Sequence, residues 1–77
     1  SDARRPEQWA ILSEEMELLS NAMAQIPYEQ REVIGLYMQG SMTFRQIAKV
    51  QKTSINTVQG RYRYGLNKLR SILNSEV

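Results

Sequence analysis

Between Asn56 and Ser71 the sequence carries side chains that match the hydrogen-bonding edges of nucleic acid, arranged in two rows at helical spacing. At about 100° per residue, Asn56, Gln59, Gly60, Arg63 and Asn67 fall in one row. Arginine pairs with guanine, and asparagine or glutamine with adenine, in the major groove. Thr57, Arg61, Tyr64, Lys68 and Ser71 form the adjoining row, where hydroxyls and cations suit phosphate oxygens. Gly60 costs roughly 1 kcal/mol of helix propensity relative to alanine, which implies close approach of something to that face. Tyr64 is expected to be exposed, within reach of sugar or phosphate, and Tyr62 to be core. No acidic residue occurs between Arg45 and Ser75, so nothing there repels a phosphate backbone.

Catalysis has little to work with. The chain contains no cysteine and no histidine, which removes thiolate chemistry, disulfides and the commonest general base and metal ligand. Glu14, Glu15 and Glu17 are clustered, but no other catalytic group accompanies them. The four methionines (Met16, Met23, Met38 and Met42) read as core filler or a partner groove. The expectation is a protein that is not an enzyme, with no cofactor and no metal.

The net charge of +2 hides a split. Residues 1–38 hold three basic and seven acidic side chains, a net of −4, whereas residues 39–77 hold seven basic and one acidic, a net of +6. A half that basic is a footprint for a polyanion, provided that one element gathers the charges on one face.

The elements that must do so are helical. A length of 77 residues suits one small domain. Residues 1–12 read as a linker or short lead-in helix opened by Pro6, with Trp9, Ile11 and Leu12 available to pack. A helix is predicted over 13–25, capped by Ser13, with Leu12, Met16, Leu19, Met23 and Ile26 as its apolar face. Its three early glutamates would favour the positive end of the helix dipole. Pro27 stops it and starts a second helix to Gln39, buried through Val33, Ile34, Leu36 and Tyr37, with Gly40 as a left-handed cap. Thr43 and Gln46 have the spacing of a capping box for a short third helix. Ser54 caps a fourth that reaches Leu73, its core stripe being Ile55, Val58, Tyr62, Leu66, Leu69 and Leu73. No segment reads as a strand. The fold class is all-α, a small bundle of about four helices, with the domain proper over 13–77.

Phe44 through Tyr62 makes a helix-turn-helix. Ala48 is small enough for the two helices to cross closely, while Ile47 and Val50 on one side and Val58 and Tyr62 on the other fill the angle. An ordinary helical hairpin shares this spacing; the amide-rich and basic faces distinguish the DNA-reading motif.

With those residues in place, the sequence resembles region 4 of bacterial sigma factors, especially the extracytoplasmic-function group. The resemblance rests on Ile26-Pro27 before Arg31-Glu32-Val33, then Ile47-Ala48, then Thr57-Val58, then the basic stretch from Arg61 to Leu69-Arg70. It covers about residues 13–73. It implies recognition of a promoter −35 element as a monomer, docking on the β flap of RNA polymerase, a possible anti-sigma partner, and a cytoplasmic location without membrane contact. Carried over by position, Asn56, Gln59, Gly60, Arg63 and Tyr64 would face bases. Thr43, Arg45, Lys49, Thr57, Arg61 and Lys68 would hold phosphates, and Arg31 would sit near the backbone or pair with an acidic neighbour. Lys52 stands where the family usually has glycine, at a cost of roughly 1 kcal/mol for a left-handed backbone. Gln51 and Thr53 replace common apolar residues, Gln46 a frequent glutamate and Gly60 a frequent small hydroxyl residue. Two other readings share some of these signals. One is the output domain of a LuxR-type regulator, which would dimerise over half-sites. The other is a sigma-like domain kept mainly for anti-sigma or polymerase contact.

Overall fold

Proline at a first helical position and proline after a last one frame the opening helix. The computed structural model describes residues 6–75, with side chains from Ser13 onward. Its helices are α1 (Pro6–Met23), α2 (Tyr28–Met38), α3 (Phe44–Gln51) and α4 (Ile55–Ser75), with no strand among the described residues. The fold is the all-α bundle that the periodicity predicts.

The start of α1 differs from expectation. The helix is continuous from Pro6, so Ser13 lies inside it and does not cap it. Glu7, Gln8, Ala10 and Leu12 favour helix, and Pro6 at the first position needs no N–H partner, so nothing interrupts the helix before Ser13. Glu14, Glu15 and Glu17 are consequently mid-helix, away from the dipole's positive end. The apolar face predicted for α1 is only half used. Met16 is 70% exposed and Leu19 44%, while Ala22 and Ile26 are buried. Among the described residues no neighbouring element covers the stretch 13–20, which is exposed throughout. The packing expected of Trp9, Ile11 and Leu12 lies outside the described side chains.

The end of α2 is also built differently. Gly40 does not have a positive φ; the left-handed residue is Ser41, with φ 55°. Glycine is needed at 40 for space, because a Cβ there would lie 2.8 Å from the Leu36 carbonyl oxygen. The chain then turns through a 3.0 Å bond from the Met42 N–H to that same carbonyl.

α3 opens as its sequence predicts. The Gln46 N–H donates to Thr43 Oγ1 at 3.1 Å, and the Thr43 N–H donates to Gln46 Oε1 at 2.9 Å. It closes on Lys52, whose backbone is left-handed at φ 55° and ψ 48°. The Thr53 N–H then reaches the Ala48 carbonyl at 2.9 Å.

The core around this turn is Val33, Ile47, Ala48 and Val58, with Leu36, Met42, Phe44 and Tyr62 packed against it. Tyr37, Phe44 and Tyr62 form an aromatic triangle, their centroids 4.5 to 5.3 Å apart. Val50, expected to fill the angle of the motif, is 51% exposed. The inward row of α3 is Phe44, Ile47, Ala48 and Gln51, at the spacing i, i+3, i+4, i+7, and Val50 falls outside it. Ile55 and Tyr37 are likewise more exposed than a core assignment implies. Further along α4, Gly65 is buried, and a Cβ there would come within 2.9 Å of Ile34 Cδ1 and 3.1 Å of Gln30 Cβ. α2 and α4 cross at this glycine.

Candidate nucleic-acid interface

α4 is the element on which both polar rows depend. Its start is fixed by Ser54, whose Oγ accepts from the Thr57 N–H at 3.1 Å and donates to Thr57 Oγ1 at 3.0 Å. Val58, Gly65 and Leu69 are buried on its inner side. Helical spacing therefore turns Asn56, Gln59, Arg63 and Asn67 outward, and all four are exposed. Gly60 lies among them with open space above it, since an added Cβ would meet only Tyr64 Cε2 at 4.0 Å. No other element of the protein approaches Gly60; the glycine of α4 that another helix crowds is Gly65. Tyr64 is 60% exposed, and the Arg63 guanidinium sits 5.4 Å from its ring centroid. That contact holds a planar donor group against an aromatic face at the outer surface.

Three cations lie on α3 and the turn, and four more on α4. Arg45 and Lys49 are exposed, four residues apart, and with Lys52, Thr53 and Ser54 they line a cleft of about 450 Å³ at the foot of α4. Lys52 thus joins the basic set through the turn's geometry. Thr43 and Thr57, at the starts of α3 and α4, are exposed, although their hydroxyls already take part in helix caps. Lys68 is exposed further along α4, about three turns beyond Thr57. Arg31 lies with its guanidinium 5.7 Å from the Tyr28 ring centroid.

Arg61 is placed unlike the others. It is half-buried, and its Nη1 donates to Gln51 Oε1 at 2.8 Å. Gln51 Nε2 donates to the Glu29 carbonyl at 3.0 Å and to Glu32 Oε1 at 2.9 Å, and the Tyr28 hydroxyl donates to Glu32 Oε2 at 2.9 Å. Hydrogen bonds from Gln51 and then Tyr28 hold the Glu32 carboxyl below its ordinary pKa. The Tyr28 phenol is pushed up by its bond to Glu32 and by that carboxylate's charge. Sequence reading passed over Tyr28, Glu32 and Gln51 as functional residues. The available signal was a glutamine at an inward position of α3.

A second groove, of about 410 Å³ and largely apolar, lies where α1, α2 and α4 meet, lined by Leu19, Met23, Ile34, Met38, Leu66 and Leu69. Among the described residues, no group of acidic side chains could hold a metal ion, and no helix is long and apolar enough to cross a membrane.

The arrangement is a basic cleft beside an exposed row of amides and arginine on a long helix, with an apolar groove behind. A family model described as Sigma-70, region 4 matches residues 22–71, about two thirds of the chain. No curated protein matches it.

Proposed function

Because the chain belongs to the sigma-70 region 4 family, we propose that it reads the −35 element of a promoter and helps to direct bacterial RNA polymerase to it. The observation that carries this reading is the outward row on α4 standing beside the cation-lined cleft of α3. Asn56, Gln59, Arg63 and Tyr64 contact base edges, and Gly60 lets the groove wall approach the helix. Thr43, Arg45, Lys49, Thr57 and Lys68 hold phosphates and fix the register. The domain binds as a monomer, of the extracytoplasmic-function type, in the cytoplasm.

The apolar groove supports the protein half of the reading. Its lining of Leu19, Met23, Met38 and Leu66 suits an apolar element of the polymerase β flap, or an anti-sigma protein that competes for it. A tether to polymerase raises the effective concentration of the domain at the promoter, so weak binding by the isolated domain is compatible with the role.

The test is selection from a random duplex pool at low salt, followed by a salt titration of the enriched duplex. A short asymmetric motif with a steep salt slope is the expected result. A palindrome would favour a dimeric regulator of the LuxR type. Salt-sensitive binding with no motif would favour a domain that works mainly through protein contact.

A further inference from the structure

Gln51 occupies an inward position of α3, and every polar group of its side chain is engaged. Glu32 and the Glu29 carbonyl can only accept, and a guanidinium can only donate. The amide is therefore oriented one way: Nε2 toward α2, Oε1 toward Arg61 on α4. One side chain at the end of α3 thus ties α2 to α4. Arg61 lies directly after Gly60 and two residues before Arg63, so its held guanidinium adds to the seating of α4 on Val58, Gly65 and Leu69 and limits rotation of the helix about its axis. That rotation decides which side chains the outer row presents.

We propose that Gln51 is a positioning residue for DNA reading, locking α4 to α2 through Arg61 and Glu32, and that Arg61 serves this lock and holds no phosphate. The inference rests on the DNA-reading function proposed above. It separates Arg61 from Lys49: one orients the reading helix, the other neutralises the backbone.

The pairing pattern supplies the test. Gln51→Glu sets two carboxylates against each other and removes both donors, so binding to the duplex enriched from the random pool weakens roughly tenfold. Adding Glu32→Gln rebuilds the link from Arg61 through position 51 to position 32 with its middle bond reversed, since the new amide donates to the new carboxylate, which still accepts from Arg61; the Glu29 carbonyl stays without its donor. The Glu32→Gln/Gln51→Glu protein should bind severalfold tighter than Gln51→Glu, short of full recovery. Melting by circular dichroism confirms that each variant is folded. Arg61→Ala should leave the salt slope unchanged, whereas Lys49→Ala lowers it by about one. A double variant that binds no better than Gln51→Glu would overturn the lock, as would a slope lowered by about one in Arg61→Ala. If the unmodified chain shows no salt-dependent binding to any duplex, the DNA-reading function itself fails and this inference with it.

Discussion

The Arg61 guanidinium donates a 2.8 Å hydrogen bond to Oε1 of Gln51, ten residues earlier and across the turn. The bond is part-buried, and its loss leaves a guanidinium and a carboxylate each short of a partner. Gln51→Ala should therefore cost about 1–3 kcal/mol of stability, measured by urea denaturation. A change within a few tenths would mean that water replaces the amide without penalty.

Lys52 is strained by its own backbone. Its left-handed conformation costs an L-residue roughly 1–2 kcal/mol, and glycine avoids that cost while losing more entropy on folding. Lys52→Gly should gain roughly 0.5–1 kcal/mol net, raising the melting temperature by a few degrees. The same change removes a cation from the α3 cleft and should weaken DNA binding. Opposite signs in the two assays are the expected signature.

Two glycines on α4 give a matched comparison. Alanine gains about the same helix propensity at Gly60 and Gly65, so that contribution cancels between them. At Gly60 the new methyl meets open space, while at Gly65 it presses on Ile34 and Gln30. Gly65→Ala should be less stable than Gly60→Ala by about 1–3 kcal/mol in thermal melts. Equal melting temperatures would show that the α2–α4 crossing relaxes freely.

The Glu32 carboxyl has a folded-state pKa below its ordinary value, through bonds from Gln51 and Tyr28. Its contribution to stability is fully present above the unfolded value of about 4.3 and is lost as pH falls through the folded value. Tyr28 works in the opposite sense. With its pKa raised, it contributes below the unfolded value of about 10 and loses that contribution as pH rises through the folded value. Glu32→Gln should flatten the acid limb of a pH–stability profile. An acid limb identical to that of the unmodified protein would assign acid sensitivity to other carboxylates.

Arg63 and Lys49 should separate specificity from affinity. Arg63→Ala is expected to weaken binding by about 1–3 kcal/mol at the preferred duplex and to relax the choice of base. Lys49→Ala should weaken all duplexes alike and lower the salt slope by about one. A sequence-selective loss in Lys49→Ala would contradict its phosphate role.

What the sequence shows most clearly is what depends on near neighbours. The Thr43–Gln46 capping box spans three residues and forms as its spacing predicts. Ser54 caps α4 for the same reason. The polar rows on α4 are legible because one uninterrupted helix carries them. The Gln51 lock is not, because its partners on α2 lie 19 and 22 residues away and no local pattern pairs them. The two glycines look alike in sequence; only the crossing helix separates the one that fills a contact from the one that leaves space. The apolar spacing of Met16 and Leu19 predicts burial, but burial also needs a neighbour, and no described element reaches that part of α1.

Sulfur in this molecule is distributed unevenly. Among the described residues the eight buried apolar ones are alanine, valine, isoleucine and leucine, whereas Met16 and Met38 are 70% and 63% exposed. Thioethers at the surface are open to peroxide, which converts an apolar side chain into a polar sulfoxide. Oxidant would thus meet the rim of the apolar groove at Met38 first, while the half-buried Met42 beside the core is better shielded. For a groove that holds an apolar partner, as proposed above, a sulfoxide at Met38 would place a polar group on the contact face, and reduction to the thioether would remove it.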